Sequence, residues 1–444
     1  MHYGDLLNRP AVRPLDDLHQ ILDTIWRELA SCHVDDTHFL RSLRDSDSIC
    51  FPNLSRVSKQ GGIPSKTIAF SYTMNSRRGD RGDVMSNKRK IVFVLGAGTG
   101  FDIDMPLGDG LRTDIRRALS THTQPLLDTI DAEQAIRSAL LEHTRRRDND
   151  FSDEQMLSAC RHISDSMSLV DSIDECIDIH RGNEALELCA KVAIVDCIIS
   201  AEERCGLNKH LVYTSRSIGT EALEDTWFRR LLSIICGQGV QFGTLKSRLE
   251  QFVFVNFNYD RCLETYLYET LQVLYKKSGE EVADALSSLT ILHPYGCVAS
   301  LPWQVSHASE PLGFGDVGAK GRLIELSRNI RTFAEQKQDQ ALIYNVKEEI
   351  ANAGMIVFLG FAFHEMNMDL LLPQSSGSKF VYGTGIGLKE DEAIMVRELL
   401  SSVFDKNRKN NVIIKNVDCS GLLREYQRRI LSVYGNRFIQ FPGS

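Results

Sequence analysis

Apolar residues are distributed along this 444-residue chain in two unlike ways. In three places they run without interruption and are rich in β-branched or aromatic types: Ile91 to Leu95, Phe252 to Val255 and Met355 to Leu359. Runs this short, without polar alternation, predict strands buried on both faces. Weaker runs at Leu289 to His293, Phe380 to Tyr382 and Val412 to Lys415 predict three further strands. Elsewhere the apolar positions recur at steps of three and four, as on one face of a helix. That spacing marks 112–120, 124–146, 154–170, 182–204, 220–236 and 242–250, and later 389–404 and 420–433. Strands alternating with helices indicate an α/β fold, a Rossmann-like doubly wound sheet with mostly parallel strands. The stretch 112–250 has almost no strand signal and reads as a large inserted helical subdomain, suited to covering a ligand or building a subunit interface.

The start of the chain is different. Leu15, Leu18, Leu22, Ile25, Trp26 and Leu29 predict one amphipathic helix over 13–31, after which 45–88 dissolves into Ser, Arg, Gly and Asp, with SRRGDRGD at 76–83. Two readings of 1–84 are open: a helix and linker preceding a domain at 85–440, or an appendage to a protein that functionally begins near Met85.

Polar residues and glycines collect where the predicted strands end. The first strand runs into Gly96-Ala97-Gly98-Thr99-Gly100, a composition that permits a sharp turn and close approach of backbone N–H groups to a phosphate. It fails the dinucleotide fingerprint of dehydrogenases, since Phe101 stands where a third glycine is required and no second strand follows within 20 residues. The second strand ends in Asn256-Phe257-Asn258-Tyr259-Asp260 and passes into a helix bearing Leu263, Tyr266, Leu267 and Leu271. Asn258 and Asp260 read equally as ligand-facing groups at a strand end and as turn and helix-cap residues. His293, before Pro294 and Gly296, reads as a general base or as a satisfied structural histidine. The third strand ends at Gly360, followed by a loop with His364, Glu365 and Asn367.

Taken in order, GAG with DxDMP (Gly96 to Pro106), NYDxxLE (Asn258 to Glu264), a histidine and glycine at a strand end (His293 to Gly296) and FLGFxF with Asn367 resemble the sirtuin-like domains of bacterial antiphage-defence proteins. The resemblance spans about 88–440, with the helical block as a variable insertion. It implies NAD⁺ as substrate, cleavage of the nicotinamide–ribose bond and NAD⁺ depletion in antiphage defence. A homo-oligomer is expected, working with a partner ATPase or other defence subunit. Carried over by position, Asn258 and His293 take the catalytic places. Gly96, Ala97, Gly98 and Thr99 belong to the pyrophosphate loop, Asp104 and Pro106 shape the loop over the ribose, Asp260 supports the turn, and Gly360 and Asn367 line the adenosine end. Tyr295 stands where the family commonly has its histidine. A second class of function is a non-catalytic sensor or scaffold that binds NAD⁺ or ADP-ribose and passes the occupancy to a partner such as a translocase-type ATPase or an Argonaute-like protein; for it the glycine loop suffices without Asn258 and His293.

Composition narrows these readings. The eleven cysteines include no CxxC pair, so the zinc module of sirtuin deacylases is not expected, nor any metal or bound cofactor. A net charge of −8 gives no chain-wide attraction to nucleic acid. No apolar run approaches the roughly 20 residues that span a bilayer, and MHYGDLLNRP lacks the layout of a signal peptide; a cytoplasmic location is expected.

Overall fold

The computed structural model describes residues 90–432 apart from 121–129, 147–150, 209–222, 238, 305–309, 334, 336–338, 375 and 406–409. The chain divides into two units, Met1–Asp83 and Val84–Ser444, and the described residues all belong to the second. The helix expected over 13–31 and the linker after it lie outside the described residues.

Six strands form one all-parallel sheet: β1 (Ile91–Leu95), β2 (Phe252–Asn256), β3 (Thr290–Leu292), β4 (Met355–Leu359), β5 (Phe380–Thr384) and β6 (Val412–Lys415), in the spatial order β3-β2-β1-β4-β5-β6. This is a Rossmann-like α/β fold. Every residue of β1, β2 and β4 is buried, whereas the edge strand β6 alternates buried and half-buried positions. Unbroken apolar runs therefore sit where both sheet faces are covered, as a parallel sheet requires. Phe93 stacks on Phe254 across β1 and β2 at 5.2 Å between ring centroids, filling one face.

Seven described helices lie between β1 and β2: α1 (Gly108–Leu119), α2 (Ile130–Thr144), α3 (Asp153–Ser166), α4 (Ile173–Ile179), α5 (Glu184–Arg204), α6 (Trp227–Cys236) and α7 (Phe242–Leu249). They pack directly on the sheet. Ile115, Ile163 and Val195 pack in one core with Val92 and Val94 of β1, while Leu231, Ile234 and Leu249 join Ile91, Phe93 and Leu95 in the core on the opposite face. The helical block thus supplies covering layers to both sides of the sheet. At its centre α5 buries residues around its whole circumference, from Ala185 to Glu202, as a helix enclosed by other helices does.

Three boundaries differ from the pattern-based expectation for physical reasons. The helix expected over 154–170 stops at Ser166, and a separate helix starts after Ser172, which is extended and whose hydroxyl accepts the N–H of Glu175 as the N-cap of α4. The segment after Gly360, expected as a loop, forms a helix over Glu365–Leu371 that buries Met368, Leu370 and Leu371. Strand β5 continues past Tyr382 through Gly383 to Thr384, where side-chain propensity gave no signal but pairing to Lys415 does.

Candidate functional site

The order of the strands places a crossover between β1 and β4, where chain connections leave in opposite directions; open α/β sheets bind ligands outside the carboxyl ends of strands at such a point. A cleft of about 800 Å³ lies there, within the range of small-molecule sites. Its floor is made by Gly96, Ala97 and Gly98 after β1, Asn258, Tyr259 and Asp260 after β2, Gly360 and Phe361 after β4, and Thr384 of β5. The helical block closes it from above through Leu111 and Arg112 of α1, Asp171 to Glu175 at the start of α4, and Ile198 of α5.

The glycines of the first loop have an immediate steric reason. Gly96 N–H donates to the Leu359 carbonyl at 3.0 Å and Gly98 N–H to the Gly360 carbonyl at 2.9 Å. A Cβ on Gly98 would stand 2.7 Å from the Gly360 Cα, and one on Gly360, whose φ is +56°, would stand 2.3 Å from the Thr99 nitrogen. Two strand-end loops therefore meet backbone to backbone at the crossover, which only glycine permits. The glycine pattern expected to admit a phosphate is first of all what lets β1 and β4 end side by side.

Asn258 is held in the cleft by this loop. Its Nδ2 donates to the Gly96 carbonyl at 3.2 Å and to Thr99 Oγ1 at 3.0 Å. Thr99 is buried, does not line the cleft and donates its own hydroxyl to the Gly96 carbonyl at 2.7 Å; it orients Asn258. The neighbouring Asn256 is structural: it is 2% exposed and its Oδ1 accepts the Asn258 N–H at 3.1 Å. Asp260 lines the cleft and its Oδ1 accepts the N–H of Cys262 at 3.0 Å, at the start of the helix Cys262–Tyr275. Asp260 therefore makes the turn into this helix, whose N-cap position is Arg261. Burial raises its pKa.

Besides Thr99, two residues read from the sequence as site groups stand outside the cleft lining. His293 does not line the cleft; it lies behind Asn258, with Nδ1 3.2 Å from the Asn258 carbonyl oxygen and Nε2 2.7 Å from Glu264 Oε1. Burial works against its protonation, but the Glu264 carboxylate outweighs it and the pKa is raised. A protonated ring donates from both nitrogens, so His293 is a brace on the asparagine's main chain. Asp104 adopts the left-handed conformation (φ 62°), ends the 3₁₀ turn Ala97–Ile103 and faces a separate hollow with Asp109, Asp114 and Arg204. Pro106 borders both spaces.

Other cleft groups were not singled out by sequence. Tyr295, at the place where the resembled family keeps a histidine, lines the cleft and its hydroxyl donates to Asn367 Oδ1 at 2.8 Å. Gly296 beside it has φ +71° and passes so near the Asn329 carbonyl that a Cβ would stand 1.9 Å away. Tyr259 donates its hydroxyl to Asp174 Oδ1 at 2.7 Å; burial raises the Asp174 pKa while this hydrogen bond opposes the rise. Trp227 ties the loop from outside, its Nε1 donating to the Thr99 carbonyl at 2.7 Å and its N–H to Asp102 Oδ2 at 3.1 Å. Burial raises the pKa of Asp102 as well. Seven carboxylates line the cleft (Asp102, Asp171, Asp174, Glu175, Asp260, Glu365 and Asp418) against one guanidinium, Arg112. The site favours a centre of positive charge.

Among the described residues no group of three or more His, Cys, Asp or Glu side chains is placed to hold a metal ion, and no helix is long and apolar enough to cross a membrane. No protein-family model and no curated protein matches the sequence.

Proposed function

We propose that the cleft binds NAD⁺ and hydrolyses the bond between nicotinamide and ribose, releasing nicotinamide and ADP-ribose. The observation that carries this reading is Asn258: it lines a crossover cleft of suitable size, with its amide nitrogen committed to Gly96 and Thr99. The amide oxygen is then the group able to accept from water or a ribose hydroxyl. Loss of nicotinamide removes the leaving group as a neutral molecule and leaves an oxocarbenium-like ribose, so the reaction asks for charge stabilisation and an oriented water. An acidic cleft provides the first and Asn258 the second. The resemblance of the motif series supplies the setting, NAD⁺ depletion in antiphage defence by a homo-oligomer or with a partner ATPase.

A second reading, a non-catalytic sensor or scaffold for NAD⁺ or ADP-ribose, draws support from one specific feature. His293, which the resemblance places in catalysis, has both ring nitrogens engaged by Asn258 and Glu264 and stands outside the cleft lining.

Incubation with NAD⁺ separates the two. Nicotinamide and ADP-ribose are expected from the wild type, and Asn258→Ala should lower the rate by 10²-fold or more, on the order of the loss of one oriented polar group in an active site. Binding of NAD⁺ by calorimetry with no nicotinamide released would favour the sensor; neither binding nor release would reject both readings.

A further inference from the structure

The helical block does more than cover the cleft. It brings a carboxylate to the residue next to Asn258. Asp174 lies in the first turn of α4 and lines the cleft together with Asn258 and Tyr259. Tyr259, immediately after Asn258 in the chain, is 6% exposed and donates its hydroxyl to Asp174 Oδ1. The bond ties α4 to the β2 end and sets one carboxylate of the block in the cleft that Asn258 also lines.

We propose, on the NAD⁺-hydrolase reading above, that Asp174 is the group that takes the proton from the attacking water. The alternative base suggested by the motif series, His293, is turned to Asn258 and Glu264, whereas the Asp174 carboxylate has acceptor lone pairs beyond the one Tyr259 uses. The step balances without any further reactant. The C1′–N bond of the ribosyl nicotinamide breaks with its electron pair going to the nicotinamide nitrogen. The water oxygen forms the new bond to C1′, one water proton passes to the Asp174 carboxylate, and the proton is then lost to solvent.

The surroundings of Asp174 set its response to pH. Tyr259 and Tyr295 face it from the strand ends, Asp171, Glu175 and Asp178 share its own segment, and Arg112 borders the same cleft from α1 with a bond to the Val170 carbonyl. Burial raises the carboxyl pKa and the Tyr259 hydrogen bond lowers it. A base must be ionised, so activity falls as pH falls through that raised value. Removing the phenol removes a bond that favours the ionised form, and this edge of the profile moves to higher pH.

Nicotinamide release measured from pH 5 to 9 for wild type, Asp174→Asn and Tyr259→Phe tests the assignment, with circular dichroism to establish folding. Asp174→Asn should lose about 10²–10⁴-fold in kcat with KM little changed, and its acid limb should vanish. Tyr259→Phe should still hydrolyse NAD⁺ but with the acid limb displaced upward. If the wild type hydrolyses NAD⁺ while folded Asp174→Asn keeps its kcat and acid limb, the assignment falls and the hydrolase reading stands. A Tyr259→Phe profile superimposable on wild type also overturns it, even where Asp174→Asn does not fold. A wild type that releases no nicotinamide removes the hydrolase reading and this inference with it.

Discussion

At the scale of single residues, the site is organised by what stands behind it. Asn258 carries the proposed chemistry, but its side chain is oriented by Thr99 and Gly96 and its main chain by His293. The imidazole is in turn held by Glu264, which is 3% exposed and whose Oε2 has no hydrogen-bond partner among the described residues. Such a buried pair has a pH signature. Because the folded-state pKa of His293 lies above its unfolded value of about 6.5, the stability it contributes is fully present below that unfolded pKa and is lost as pH rises through the folded one. The melting temperature of wild type should therefore exceed that of His293→Gln most clearly near pH 6, with the gap narrowing as the solution becomes alkaline. A gap that is constant across this range, or that widens with pH, would show that His293 is neutral where it sits.

At the scale of elements, β1, β4 and β6 begin and end where the hydrophobic pattern places them, because strands enclosed on both faces or alternating at an edge write their environment into every position. The glycine-rich strand ends are equally legible in the sequence, and they line the cleft. What the pattern does not encode is which side chain crosses from one element to another. Asp174, Trp227 and Tyr295 reach the cleft region through contacts to residues between 72 and 128 positions away, and nothing in local spacing distinguishes Asp174 from Asp171 or Asp178. His293 was misplaced for the same reason: a strand-end histidine reads identically whether its ring turns to the cleft or behind it. The helix that delivers Asp174 starts on two local bonds, one of them the Asp171 N–H donating to Glu175 Oε2 at 2.7 Å. Ser172 accepts the Glu175 N–H at 3.1 Å, and α4 has only 7 residues to share the cost of losing it. Ser172→Ala should cost about 0.5–2 kcal/mol, the range for lost N-caps, and amide hydrogen exchange in 173–179 should quicken more than in α5. Unchanged exchange in α4 would mean that the Tyr259–Asp174 bond, and not the cap, holds the helix.

At the scale of the whole described unit, the helical block and the sheet are joined by a buried charge pair next to the site. Arg261, the residue after Asp260, is 1% exposed and Glu202 of α5 is fully buried. The guanidinium donates to both Glu202 carboxylate oxygens and to the carbonyls of Leu312 and Gly313, and the Gly315 N–H donates to Glu202 Oε2 at 3.2 Å. One ion pair thus gathers the last turn of α5, the junction that carries Asn258 and the chain at 312–315. Charges taken this far from water are costly unless every donor is met, and breaking one side leaves the other uncompensated. Glu202→Gln should therefore destabilise the protein by about 3–5 kcal/mol, whereas replacing both partners by apolar residues of similar volume, Glu202→Leu with Arg261→Met, should recover much of that loss. Equilibrium urea unfolding of the two variants against wild type decides the matter. Equal destabilisation by the single and double changes would locate the loss in the main-chain N–H groups of Arg261 and Gly315, which lose a carboxylate acceptor in both variants, and not in the isolated charge. NAD⁺ turnover by the double variant would then report whether the block is needed as a scaffold alone, since Asn258, Tyr259 and Asp174 keep every contact described for them while the charge behind them is gone.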